Sequence, residues 1–186
     1  NTFINNSSYQ GRLKENTQLG AELIGDDSIE ADAEILAMAV ECLKKAGLEK
    51  FQISIGHAGF LKGLMEEAGL NEEQEEELRE LISNKNFFGV EEFIGTLEIA
   101  EDLKELFTLL GGFYDSPKQF EEIQKKAAPY QKSASALTYL KDLHEVLKLY
   151  QAERYISYEL GAISDYHYYT GIILKNCWKM RDQDRI

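Results

Sequence analysis

Phe51-Gln52-Ile53-Ser54-Ile55-Gly56-His57 sets apolar Phe51, Ile53 and Ile55 against Gln52 and Ser54, and that period of two predicts a short strand. Gly56 leads out of it into a helix, with Phe60, Leu61, Leu64, Met65 and Ala68 on one face. Upstream, Ile35, Leu36, Ala39, Val40 and Leu43 recur at helical spacing, and Gly47 ends that stripe. Asp27 and Glu30, at a capping-box-like spacing, announce its start.

Further out, Thr2-Phe3-Ile4 and the stretch Leu19 to Ile24 read as two extended segments around a polar turn, a hairpin with a long loop. The middle third reads as helix throughout. Six glutamates between Glu72 and Glu80 surround Leu78, which marks a solvated helix face rather than an acidic site. Leu97, Ala100, Leu103, Phe107 and Leu110 form a second stripe, stopped by Gly111-Gly112. Pro117 opens a short helix, Pro129 breaks the chain, and Leu137, Leu140, His144 and Leu147 belong to a long helix reaching Tyr150. Ile156, Tyr158 and Leu160 then alternate, and Tyr166 to Leu174 reads as a final strand. Strands at both ends with helices between predict an α+β fold, a mixed sheet covered by helices.

The chain has 186 residues, with 33 Asp+Glu against 20 Lys+Arg and a net charge of −13. A monomer of this size buries about 70% of its unfolded surface, enough for one core. The acidity disfavours broad nucleic-acid or anionic-membrane binding, because both need clustered Lys and Arg. No apolar run approaches the roughly 20 residues that cross a bilayer, and no signal-peptide pattern opens the chain. Cys42 and Cys177 are too far apart for a disulfide scaffold or metal spacing, so a reducing cytoplasm is the expected compartment. The start at Asn1, without Met and inside an expected strand, reads as a fragment.

Most motif chemistry fails on spacing. Gly56, Gly59 and Gly63 lack the Lys-Ser/Thr pair of a phosphate loop. His57, His144 and His167 are scattered, without partners at ligand spacing, so no metal and no cofactor is expected. His144, at the edge of an apolar stripe, reads as a packing residue. No nucleophile-elbow pattern supports a triad. Two segments stand out, Gly11 to Glu22 and Asp165 to Gly171. On a strand, Gln18 and Glu22 share a face. A carboxylate beside an amide can hold an ammonium and a small polar ring, with Tyr166, Tyr168 and Tyr169 as apolar walls bearing hydroxyl tips. Composition alone favours core packing for those tyrosines.

Gln18-Leu19-Gly20-Ala21-Glu22-Leu23-Ile24-Gly25, Glu30-Ala31-Asp32-Ala33-Glu34, Ile53-Ser54-Ile55-Gly56-His57 and Tyr168-Tyr169-Thr170-Gly171 occur in this order. Together they resemble the class II histidyl-tRNA synthetase core, and more closely its paralogue, the regulatory subunit of ATP phosphoribosyltransferase. The resemblance runs from the start to about Leu174. It implies a class II synthetase-like mixed or antiparallel sheet with covering helices, incomplete here, in a single domain over residues 1–186, with a helical insertion over about residues 70–150. It also implies a histidine-like pocket of Gln18, Glu22, Tyr168 and Tyr169, with Arg12 as a weaker candidate, and no catalytic residue. Where the synthetase carries cationic arginines, this chain has Ile4 and Ser164, and the synthetase's downstream acidic partner falls on Asn6. Adenylation needs such cations on the α-phosphate. The resemblance therefore implies a catalytically silent subunit in histidine biosynthesis, partnered by the short catalytic chain, with histidine as effector and self-association through an exposed edge. The alternative is a fragment of an ATP-dependent, histidine-activating synthetase.

Overall fold

A computed structural model describes residues 2–3, 15–114, 117–163 and 170–179. Helix α1 (Ile29–Lys45) starts where Ser28 Oγ accepts the Ala31 N–H at 3.2 Å. Asp26 Oδ1 in turn accepts the Ser28 N–H at 2.9 Å, so Ser28 takes the capping place expected of Asp27. Glu30 and Asp32 in the first turn and Lys44 and Lys45 in the last complement the helix dipole. Gly47, at φ +90°, closes α1, with Leu48 N–H bonded back to the Leu43 carbonyl.

Strand β3 (Phe51–His57) runs straight into α2 (Ala58–Glu67), preceded in the chain by two short strands, β1 (Thr2–Phe3) and β2 (Glu15–Asn16). β1 and β2 pair antiparallel, so the expected hairpin exists but its return strand is Glu15–Asn16, not Leu19 to Ile24. The latter stretch forms no strand, and Leu19 and Ile24 are 89% and 88% exposed. Alternating apolar side chains make a strand only when a neighbouring sheet face buries them.

The central stretch is helical as read: α3 (Glu72–Ser83), α4 (Phe87–Gly95), α5 (Glu101–Thr108), α6 (Pro117–Ala127) and α7 (Gln131–Leu149). A two-residue strand β4 (Phe113–Tyr114) interrupts it. The chain then re-enters the sheet as β5 (Ile156–Glu159) and β6 (Ile172–Lys179). The final strand thus begins later than expected and runs past Leu174, while Tyr166 to Tyr169 lie outside the described residues.

The sheet has the order β4-β5-β3-β6. β3 and β5 are parallel, whereas β6 and β4 pair antiparallel with β3 and β5. A parallel pair needs a crossover. All of α2 to α7 serves as that crossover, and α7 packs back onto α1, α2 and β3. One continuous core joins sheet and helices, from Ala33 through Ile55, Phe60, Phe107 and Leu140 to Ile163. Leu137, Leu140, Leu143 and Leu147 line the buried face of α7 at the expected spacing.

Helix α7 ends with Gln151 at φ 55°, and the Ala152 N–H bonds the Leu147 carbonyl at 3.1 Å. A side chain in this left-handed conformation costs about 1–2 kcal/mol that glycine avoids. Gln151→Gly is therefore expected to stabilise the fold by about 0.5–1 kcal/mol, after glycine's greater unfolded-state freedom is subtracted. Thermal unfolding should show a rise of about 2–4 °C; a lower midpoint would refute the reading.

Candidate functional site

At the carboxyl end of β3 the backbone enters α2 through His57, whose Nδ1 accepts the Gly59 N–H at 3.0 Å. His57 thus caps a helix, which fixes its neutral tautomer with the proton on Nε2. Its ring stands edge-on to Tyr139 of α7, with centroids 5.3 Å apart. The Tyr139 hydroxyl donates to Asp32 Oδ2 on α1 at 2.9 Å. Three elements are tied together at this one corner. Burial holds the His57 pKa below its ordinary value, against a weaker upward pull from the Asp32 carboxylate. Burial raises the Tyr139 hydroxyl pKa, and its bond to Asp32 raises it further, so the phenol stays a donor.

A second polar contact crosses the core, where His144 Nδ1 and the Tyr158 hydroxyl lie 2.9 Å apart and Tyr158 stacks at a tilt on Phe120. His144 is a partnered packing residue, as its position on the apolar stripe predicted. Burial, followed by the nearby Lys148 charge, lowers its pKa.

Both histidines have folded-state pKa values below the unfolded value near 6.5. The unfolded chain therefore binds protons first. The stability these two groups give is complete above pH 6.5 and is lost as pH falls from there through their lowered folded values. Urea midpoints measured from pH 7.5 to 5 should fall, and His57→Gln should flatten that fall. An unchanged slope in His57→Gln would contradict the assignment.

The expected pocket residues divide between described and undescribed stretches. Gln18 and Glu22 lie on exposed chain without regular structure, not on a strand, so the shared strand face does not exist for them. Gln18 Oε1 accepts a hydrogen bond from Thr2 Oγ1 at 2.7 Å, which ties this segment to β1. Arg12, Tyr168 and Tyr169 lie outside the described residues. The ends of the tyrosine segment are nevertheless fixed. Ala162 lies beside Gly56, where an added Cβ would stand 2.5 Å from Ala162 Cβ, and the Gly171 carbonyl accepts the Ala58 N–H at 2.9 Å. Ala162 and Gly171 thus both stand at the carboxyl end of β3.

One buried acid at this end was missed in the sequence. Glu159, the last residue of β5, is 4% exposed, and its Oε2 has no hydrogen-bond partner. The only sequence signal was an acidic residue inside an apolar alternation. An open groove of about 420 Å³ also borders Tyr139, between the start of α1 and α7, lined by Gln131, Ser135, Thr138 and Asp142. Its acid stands without a facing cation in that lining. Among the described residues no cluster of His, Cys, Asp and Glu is set to hold a metal, and no helix is long and apolar enough to cross a membrane.

This mixed sheet, backed by helices, is of the class II synthetase type. The crystal structure of an ATP phosphoribosyltransferase regulatory subunit/histidyl-tRNA synthetase from Bacillus halodurans superposes with a TM-score of 0.74 at 31% identity, over 86% of this chain and 41% of that one. Histidyl-tRNA synthetase from Nostoc sp. shares the fold at a TM-score of 0.66 and 15% identity, over 83% of this chain and 37% of that one. The histidyl-tRNA synthetase family model matches residues 2–180, and the chain belongs to that family. Curated relatives include the ATP phosphoribosyltransferase regulatory subunits of Acetivibrio thermocellus and Ruminiclostridium cellulolyticum. They are 40% and 38% identical over 94% of this chain. This chain spans 42% of the length of each.

Proposed function

We propose that the chain is the class II synthetase-like core of a non-catalytic regulatory subunit of ATP phosphoribosyltransferase. It would be required by the short catalytic chain and would mediate histidine feedback in the first step of histidine biosynthesis. The observation that carries this reading is the 40% identity to a regulatory subunit across 94% of the chain. Ile4 and Ser164, at positions where the synthetase resemblance calls for arginines, support it from the chemical side. Without those cations, charge developing on an α-phosphate goes unstabilised, at a cost of about 3 kcal/mol for each lost contact. The retained pocket would be Gln18, Glu22, Tyr168 and Tyr169, with Arg12 beside it. An inherited amino-acid pocket becomes a sensor when its ligand binds one state of a complex better than another. The helical stretch over about residues 70–150 is proposed as an insertion within this single domain, and the assembly as cytoplasmic and self-associating.

The test mixes the natural full-length polypeptide carrying this sequence with a short catalytic ATP phosphoribosyltransferase chain. Phosphoribosyl-ATP formation is followed while histidine is titrated. Activity that needs both chains and falls with histidine establishes the proposal. A second reading, an active histidyl-tRNA synthetase, is favoured by the family match over residues 2–180. Histidine-dependent pyrophosphate exchange by this protein alone would select it.

A further inference from the structure

The groove between the start of α1 and α7 plays no part in the pocket proposed above. Gln131, Ser135, Thr138 and Asp142 recur every three or four residues, so they form one stripe along α7. Ile29, the first residue of α1, and Tyr139 border the same space of about 420 Å³. Its hydroxyl protons are already committed. Ser135 Oγ donates to the Gln131 carbonyl at 2.8 Å, and Thr138 Oγ1 to the Ala134 carbonyl at 3.0 Å. The Tyr139 hydroxyl donates to Asp32 Oδ2 at 2.9 Å. What these oxygens still present, together with the Asp142 carboxylate, is acceptor capacity. The Gln131 amide is the one side-chain donor left in that lining.

The neighbouring cations are turned elsewhere. Lys132 is bound by Glu66 of α2. Lys141 precedes Asp142 by one residue and so stands about 100° round the helix from it. No Lys, Arg or His lines the groove among the described residues. Asp27, Glu30 and Asp32 add a negative field at Tyr139. An acid beside a row of acceptors suits a group that carries a positive charge and donors only. Arginine and lysine side chains are such groups, and the planar guanidinium, with its five N–H donors, reaches several acceptors at once.

The shape of the groove limits the occupant. A free small molecule needs a site that encloses most of its surface. Gln131, Ser135, Thr138 and Asp142 are all exposed, so this site encloses little. A side chain delivered on a partner's backbone needs no enclosure. A second copy of this chain would bring its own net charge of −13 to an acidic groove, so charge complementarity points to a different, basic chain. We propose that the groove docks an arginine-bearing segment of the short catalytic ATP phosphoribosyltransferase chain, its guanidinium held by Asp142 and the acceptor row. The inference rests on the subunit reading above and gives that reading its contact surface.

The test titrates the natural full-length polypeptide with the short catalytic chain by calorimetry, at low and at high salt. Asp142→Arg should weaken the complex at least tenfold, because it sets like charges together. Asp142→Asn should weaken it less, and its deficit should shrink as salt screens the pair. Ser135→Trp fills the groove without a change of charge and should also weaken the complex at least tenfold. Glu76→Arg, on the solvated face of α3, alters the net charge as much as Asp142→Arg does and should leave affinity within twofold. All three positions are exposed, so thermal midpoints should stay close to wild type. Affinity within twofold of wild type in Asp142→Arg overturns the proposal, as does an equal loss in Glu76→Arg, the mark of long-range charge alone. A change confined to self-association in sedimentation also overturns it and gives the groove to a second copy. In each of these cases, wild type that still activates the catalytic chain leaves the subunit reading standing. Wild type that does not bind the catalytic chain overturns both.

Discussion

Gly63→Ala is expected to destabilise the fold by about 2 kcal/mol, although alanine is the better helix former by about 1 kcal/mol. The reason lies in the crossing of α2 and α7. A Cβ on Gly63 would stand 2.5 Å from Ser133 Oγ and 2.8 Å from the Ser133 backbone nitrogen. Ser133 is itself fixed, because its hydroxyl is buried and donates to the Phe60 carbonyl at 3.0 Å. One helix must therefore move away from the other, loosening Phe60, Leu64 and Leu137 in the shared core. Chemical denaturation of wild type, Gly63→Ala, Ser133→Ala and the double variant decides the matter. The double variant should recover only part of the loss, since removing Oγ leaves the nitrogen in place. Stabilisation by Gly63→Ala alone would mean that the helices do not approach this closely.

On the proposed reading, Glu22→Ala is expected to raise the histidine concentration for half-maximal inhibition at least tenfold, with activation of the catalytic chain unchanged. Glu22 is exposed. Its truncation should therefore alter stability by no more than about 0.5 kcal/mol, so a lost response would not be a folding defect. The retained amide of Gln18 would still meet part of the ligand, which predicts weakened rather than abolished inhibition. Inhibition curves that superpose for wild type and variant would remove Glu22 from the pocket.

The helices were legible because their burial repeats with the helical period. Leu137, Leu140 and Leu147 could face inward only together, and Gly47 and Pro129 mark real ends. The strand Phe51–His57 was legible for the corresponding reason. Where the partner surface decides, the sequence misled. Leu19 and Ile24 look like strand residues but meet no sheet. Asn176 to Lys179 do not alternate, yet they pair with β3, past a register irregularity between Ser54 and Ile55, because β3 offers free backbone groups there. Phe113–Tyr114 is too short to leave a pattern. Of the proposed site, Gln18 and Glu22 came from the motif that carries the family resemblance. The burial of Glu159 came from the structure alone, since a period of two says which face a residue takes but not how deeply that face is covered.

The parallel pairing of β3 with β5 also sets an order of events during synthesis. Ser54 and Ser157, whose hydroxyls meet across that pair, are 103 positions apart. Closing a loop of that length costs about 4 kcal/mol in chain entropy before any strand contact compensates. Helices α2 to α7 need only near neighbours and can assemble while β5 is still unmade. Until then β3 carries two bare hydrogen-bonding edges, a period in which a nascent chain is most open to pairing with another copy. Folding should therefore be slow at the sheet and fast in the helices, and a helper protein that shields an extended segment would act on Phe51–His57.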